Sequence, residues 1–329
     1  MHAPRPRLAD LATRAGVSTA TVSRVLNGKP GISTSTRDAV LSAAAGLGYD
    51  VPGATLTPHL VAIMTPELSN PSFAAFAEAV DSLLATANQP SVMCPAGPAG
   101  TSEADYLEML TGVDLAGVIT VSGIPADVAS PNDPYHRMID SGVPVVFING
   151  FSDDLEAAFY STSDAEGVRA AVEHLRALGH ERIGLTIGPR RYIPATRKES
   201  AFLASGFTGS DVESTVFTVE GGQLAASRLL DSGHTALVCG SDLMALGAIR
   251  AVRARGLEVP RDVSVVGYDD SPMMAFTDPA LTTIRQPVRA IARAAVDALL
   301  RARDGGALDP AEVLFHPDLI IRRSTGPTQ

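Results

Sequence analysis

LADLATRAGVSTATVSRVLNG, residues 8–28, contains two short runs of apolar residues at helical spacing, broken by one glycine. The first run is Leu8, Leu11, Ala12 and Ala15, and it stops at Gly16. Glycine is free to take positive φ there, and Ser18 is placed to cap a second helix. In that second helix Val22, Val25 and Leu26 share the face that packs on the first, which leaves Thr19, Ala20, Ser23, Arg24 and Asn27 facing outward. The pattern is a helix-turn-helix. Its outward face is small and polar with one long cation, which suits a major groove about 12 Å wide, and Arg24 is the residue best able to read guanine. After the break at Asn27-Gly28-Lys29-Pro30-Gly31, a third helix capped by Ser33 runs through Val40, Leu41, Ala44 and Leu47 to Gly48. Residues 1–49 therefore read as an all-α head closed by three helices.

Charge separates this head from the rest of the chain. Residues 1–58 hold six Lys/Arg against three acids, a net +3, whereas the remainder holds 20 bases and 33 acids, a net −13. A basic end on an acidic body is the asymmetry expected of a nucleic-acid-binding terminus. The same division argues against the alternative that residues 8–48 merely open a larger domain. At 329 residues and 45% hydrophobic content the chain is an ordinary globular one of two or three units. No apolar run reaches the length of a membrane span and the first ten residues lack the apolar core of a secretory signal, so a cytoplasmic location is expected. Cys94 and Cys239 form neither a metal-ligand spacing nor a disulfide framework. No cofactor and no metal are expected.

Residues 50–59 read as a short linker in which Pro52 and Pro58 bracket five residues, Gly53 among them, enough for about one helical turn. From Leu60 onward, apolar runs alternate with amphipathic segments: Leu60–Met64, Phe73–Ala87, Ser91–Cys94, Tyr106–Leu110, Gly117–Val121 and Val143–Ile148. A second series has helices at Gly167–Leu178, Gly222–Asp231, Ser241–Arg255 and Val288–Arg303, and strands at Arg182–Ile187, Val216–Val219, Ala236–Val238 and Ser264–Tyr268. This is the pattern of βαβ units on parallel sheets. The expected body is a two-lobed α/β domain at residues 60–329 with doubly wound parallel sheets. Its subdomains are placed at about 60–150 plus 281–304, and at 151–280 plus 305–329. A ligand would bind between the lobes, beyond the carboxyl ends of the strands.

The run from Leu8 to Gly28 resembles the DNA-binding head of the lactose/galactose repressor (LacI/GalR) family, and the signature spans about twenty positions. The body is similar to the same family in Leu68-Ser69-Asn70-Pro71, in Leu178-Gly179-His180-Glu181-Arg182-Ile183-Gly184, in Val265-Val266-Gly267-Tyr268-Asp269-Asp270 and in Pro279-Ala280-Leu281-Thr282-Thr283-Ile284. The resemblance implies a periplasmic-binding-protein-like body and assigns base contacts to Thr19, Ala20 and Arg24. It assigns phosphate contacts to Ser18, Thr21, Ser23, Asn27, Ser33 and Thr36, as suits hydroxyls and amides near helix starts. Family members usually carry a hinge helix whose leucine wedges into the minor groove. Here the segment is several residues shorter and its usual arginine is missing, so Leu56 stands either as that wedge or as a plain linker residue.

For the cleft, the resemblance implies ligand contacts from Phe73, Asn149, Arg197, Phe217, Ser241 and Asp269. Asn149 stands where an aspartate is usual and Ser241 where an asparagine is usual. Arg197 is matched to the arginine of an Arg-x-x-Gly-Phe pattern that ends here at Phe202. Core packing is the competing role for Phe73 and Phe217, an ion pair or cap for Arg197 and Asp269, and a helix cap is the expected role of Asp242. The motifs of nucleophilic, phosphate-binding and zinc-dependent enzymes are missing from the sequence, so no enzymatic activity is expected. The remaining rival is the solute-binding protein of a sugar transporter, which shares the two-lobed body but works outside the membrane. The expected function is a repressor of a carbohydrate or small-metabolite operon that binds palindromic operator DNA as a homodimer and answers to a sugar-like effector.

Overall fold

In the computed structural model, residues 7–26, 29, 32–33, 34–47, 49, 59–97 and 100–328 are described. The chain forms two units, Met1–Pro58 and His59–Gln329. In the first, helix α1 (Leu8–Ala15) ends at Gly16, whose φ of 65° is left-handed and whose N–H reaches Ala12 O. An added Cβ at Gly16 would meet nothing within 4 Å, so the requirement for glycine there is one of backbone angle and not of space. Ser18 Oγ accepts from Thr21 N at 3.1 Å and starts α2 (Thr19–Leu26), and Ser33 Oγ accepts from Thr36 N at 3.2 Å at the start of α3 (Thr34–Leu47). Leu11, Val22 and Val40, one from each helix, are fully buried against one another with Ala12, Val25, Ala43 and Ala44.

The second unit is built on two six-stranded sheets. The first contains β1 (Leu60–Thr65), β2 (Ser91–Pro95), β3 (Leu115–Val121), β4 (Val145–Ile148), β5 (Ala158–Thr162) and β11 (Glu312–Phe315), in the order β11-β5-β4-β3-β1-β2 and wholly parallel. The second contains β6 (Ile183–Ile187), β7 (Val212–Ser214), β8 (Ala236–Cys239), β9 (Ser264–Asp269), β10 (Thr282–Arg285) and β12 (Asp318–Ile320). Their order is β12-β10-β9-β8-β6-β7, with β12 alone antiparallel. Helices α4 (Pro71–Thr86), α5 (Glu103–Leu110), α6 (Asp133–Asp140) and α11 (Val288–Arg303) cover the first sheet. Helices α7 (Asp164–Ala177), α8 (Ile193–Ala204), α9 (Val219–Asp231) and α10 (Asp242–Ala254) cover the second. Each sheet is buried on both faces, as parallel sheets are.

Strand pairing moves the expected subdomain boundaries. Backbone pairing of β5 with β4 keeps the chain in the first lobe to Thr162, not to residue 150, and β10 keeps it in the second to Arg285, not to 280. The pairing of β11 with β5 returns Glu312–Phe315 to the first lobe, whereas those residues were expected in the second. The chain thus crosses between lobes three times, at 162–164, 285–288 and 315–318. The strand expected at Val216–Val219 is displaced too. The strand is Val212–Ser214, and Val219 opens α9 because the Thr218 hydroxyl accepts from Gly221 N at 3.0 Å and caps it. Val-Phe-Thr-Val has the composition of a strand, but its third residue acts as a helix cap.

Candidate functional sites

On α2 the residues expected to meet DNA divide by exposure. Thr19, Ala20 and Arg24 are exposed, whereas Ser23 and Thr21 are half-buried. The Ser18 hydroxyl lies 2.9 Å from Thr21 Oγ1 besides capping the helix, and the Ser33 hydroxyl donates to Thr36 Oγ1 at 2.7 Å. These oxygens are held in place at the first turns of α2 and α3, where the backbone N–H groups also point outward and favour anions. Asn27 and Leu56, and with Leu56 most of the linker, lie outside the described residues.

In the body, the loops after the strands converge on one buried amide. Gln286 lies on the second crossover and is 8% exposed. Its Oε1 accepts from Asn149 Nδ2 at 2.8 Å and from Thr162 Oγ1 at 2.7 Å, and its Nε2 donates to Asp269 Oδ1 at 2.6 Å and to Ser72 Oγ at 3.3 Å. Asn149 Oδ1 in turn accepts from Thr162 N at 2.9 Å. One side chain therefore joins three residues of the first lobe to one of the second. Ser122, Asn149, Asp269 and Asp270, each at or just after the end of a strand, all have positive φ (46°, 53°, 116° and 57°). Non-glycine residues in such conformations are a recurrent mark of functional loops.

The carboxyl of Asp269 is pushed up to about 8, first by burial and then by the neighbouring charge of Asp242, against which its bond from Gln286 and the charge of Lys198 act. Its surroundings therefore favour the neutral acid over the carboxylate. Asp242, 1% exposed, is pushed up to about 6 by burial, opposed by hydrogen bonds from Thr283 and Ser271. Its Oδ1 accepts from Thr283 Oγ1 at 2.6 Å and its Oδ2 from Ser271 N at 2.7 Å. The cap of α10 is instead Ser241, whose Oγ accepts from Met244 N at 3.3 Å, so the capping role expected of Asp242 belongs to its neighbour. Asp242 also accounts for Gly267 in the Val-Gly-Tyr strand, because an added Cβ there would lie 2.5 Å from Asp242 Oδ1.

Asn149 and Asp269 are thus brought together through Gln286, and Arg197 is not. Its guanidinium forks onto Glu312 of β11 with contacts of 2.7 and 2.8 Å and lies 5.6 Å from the Phe151 ring centroid. The adjacent Lys198 takes the buried position. It is 5% exposed, pairs with Asp164, and lies 3.9 Å from the centroid of the Tyr268 ring, whose hydroxyl donates to Asp164 at 2.9 Å. One residue along a helix is a rotation of about 100°. The available signal was register: a five-residue Arg-x-x-Gly-Phe pattern ending at Phe202 places its cation at 198. Phe217 packs over Gly188, where an added Cβ would fall 2.0 Å from its ring, and lies 6.2 Å from the Tyr192 ring centroid. Phe73 packs on the core formed by α4, α11 and the first sheet. Among the described residues no group of His, Cys, Asp and Glu is arranged to hold a metal, and no helix is long and apolar enough to cross a membrane.

Residues 7–51 match the model of bacterial regulatory proteins of the lacI family, and residues 172–325 match that of the periplasmic binding protein-like domain. The HTH-type transcriptional regulator MalR of Streptomyces coelicolor is 46% identical over 97% of this chain and 96% of its own length. Among solved structures, a transcriptional regulator CelR–cellobiose complex is 30% identical, with a TM-score of 0.72 over 97% of this chain and all of that one. The lac repressor dimer bound to operator and the anti-inducer ONPF is 28% identical, with a TM-score of 0.72 over 98% of this chain and all of that one. These relatives are regulators and neither enzymes nor transport proteins, and they match the head and the body together. The chain belongs to the lacI family of transcriptional regulators, a helix-turn-helix head followed by a ligand-binding body of the periplasmic-binding-protein kind.

Proposed function

We propose that this regulator is a cytoplasmic repressor of a carbohydrate-utilisation operon, which binds a palindromic operator as a homodimer and is controlled by a sugar held between the two lobes. The observation that carries the reading is the group of polar side chains hydrogen-bonded around Gln286, which includes the carboxyl of Asp269, held in surroundings that favour its neutral form. A neutral carboxylic acid both donates and accepts hydrogen bonds, as a sugar hydroxyl does, and a neutral ligand then enters without leaving a charge unpaired. Asn149 in place of the usual aspartate keeps a further charge out of the same wall. Likeness to a regulator solved with cellobiose supports a sugar as ligand class.

In this reading Thr19, Ala20 and Arg24 read bases, and Ser18, Thr21, Ser23, Asn27, Ser33 and Thr36 hold phosphates, with Leu56 the candidate for the minor groove. Phe73, Asn149, Phe217, Ser241 and Asp269 line the ligand, and Lys198 joins them in place of Arg197. Two heads on a two-fold axis read enough base pairs to compete with bulk DNA. The test is a thermal-shift screen of maltose, cellobiose and ribose on the full chain, followed by mobility shifts on DNA from its own genomic neighbourhood. A ligand at a hundred times its Kd stabilises by about 2.7 kcal/mol and should change operator occupancy at the same concentrations. A shift in melting with no change in DNA binding would refute the control mechanism.

A further inference from the structure

The two lobes also meet far from their crossovers. Asp127 follows β3 in the first lobe and Arg191 follows β6 in the second, and they form an ion pair at 3.3 Å. Beside it Val128 N donates to Arg191 O at 2.9 Å, and Asp127 and Tyr192 form an isolated antiparallel bridge. Arg191 also donates to Tyr192 Oη at 2.8 Å, with its guanidinium 4.9 Å from that ring centroid. In the first sheet β3 lies two strands from β5, and in the second β6 lies three strands from β10. The strands that lead into these contacts therefore lie away from the strands at which the chain crosses between lobes.

We infer that Asp127, Arg191 and Tyr192 form a latch that holds the two lobes closed and gates the effector's entry and exit. Three observations support it. The Asp127 carboxylate is anchored before Arg191 arrives, because it accepts from Ala129 N at 3.0 Å and from Ser130 Oγ at 3.2 Å, so its loop is set within the first lobe. The Asp127 side chain is 10% exposed whereas that of Arg191 is 55% exposed, so the fixed half is the acid and the half that swings away into water is the cation. Backbone bonding accompanies the ion pair, and opening the lobes breaks both together. Because Tyr192 immediately precedes α8 and lies beside Phe217, release of the latch also moves the end of the helix that carries Lys198. Gating of an effector depends on the proposed ligand site, but the closed state does not.

The test therefore reads lobe separation with no effector present. Cys94 and Cys239 are buried, so spin labels at Glu108→Cys on α5 and Ala204→Cys on α8, both exposed positions, report on the two lobes. The labelled full chain is diluted into excess unlabelled chain and distances are measured by double electron–electron resonance. The expected result is a mainly short separation in the parent chain. Arg191→Ala should lower the closed-to-open ratio roughly five-fold, the scale of one partly exposed ion pair, and Arg191→Lys should restore most of it. Asp127→Asn combined with Arg191→Ala should act no more strongly than Arg191→Ala alone. Identical distance distributions in the parent and Arg191→Ala, or additive effects in the double variant, would overturn the latch. Neither result bears on whether the cleft binds a sugar, which the thermal-shift screen reads separately.

Discussion

The DNA-facing helix and the effector cleft are built from residues at very different separations in the chain. The head closes on itself within residues 8–47, and its outward face is one helix, Thr19–Leu26. In the cleft Gln286 bonds Ser72 across 214 positions and Asn149 across 137. A face on one helix is fixed by which residues are apolar, so the remaining ones are exposed by default. A cleft between two sheets is fixed by strand order, and residues with no local pattern in common become neighbours. Changes in the head should therefore alter recognition alone, and changes at the cleft should alter stability and ligand response together.

The largest test of that difference is Lys198→Met. It leaves the Asp164 carboxylate buried without its cation, and breaking such a pair costs about 3–5 kcal/mol. Calorimetry should show the body melting many degrees lower, while a helix-turn-helix signature remains by NMR; an unchanged body transition would remove Lys198 from the core of the site. Next comes Arg24→Ala, with an expected loss of about 1–3 kcal/mol of discrimination between operator and random DNA. Competition binding measures it, and the body transition should stay put. Equal losses on both DNAs would assign Arg24 to phosphate. Arg197→Ala is smaller. Its pair with Glu312 is partly solvated, with side-chain exposures of 30% and 13%, and should contribute about 1 kcal/mol to stability. Effector affinity should fall far less than in the Lys198 variant, and an equal fall would return Arg197 to the ligand.

The pH response sharpens the comparison from the other side. His174 and His180 hold the C-terminal segment through Thr325 and Gly326, and burial lowers both below the usual histidine value, with the charge of His180 adding to the effect on His174. A folded-state value below the unfolded one means that the neutral form is favoured on folding. The stability from these two residues is therefore present above about pH 6.5, the unfolded value, and is lost as pH falls below it. The raised carboxyls of Asp242 and Asp269 act in the opposite sense over the same range, so the loss is read as a difference: the parent body should lose melting temperature relative to His180→Gln as pH drops from neutral to mildly acidic. The head has no histidine among its described residues and should show no counterpart.

Local chemistry is what the sequence made legible. Gly16 with Ser18, and the apolar spacing of Leu11, Val22 and Val25, place the head correctly because each signal acts within a few residues. The alternation of strands and helices gives two lobes, but β5, β10, β11 and β12 mix polar residues with apolar ones and do not stand out from the loops around them as the all-apolar β4 and β8 do. Their pairing decides where each lobe ends. Gln286 comes after an arginine and precedes a proline, with no pattern of its own, and gains its role only when the second crossover carries it between Asn149 and Asp269. Arg197 and Lys198 are chemically alike in sequence, and what separates them is the spacing back from Phe202 together with the facing of α8, which buries Lys198.

The three crossovers also set a timetable for synthesis. The three helices among the described residues of the head are encoded by residue 47, but the first sheet lacks its edge strand β11 until Phe315 and the second its edge strand β12 until Ile320. At roughly 5–20 residues per second, on the order of tens of seconds separates a finished head from two finished lobes. During that interval the ribosome carries a folded reader on an unfinished sensor, with the edges of β5 and β10 uncovered. A message truncated within β12 would leave only the second sheet without its edge strand, whereas one truncated within β11 removes both edge strands and would leave both sheets open at once while the head remained whole.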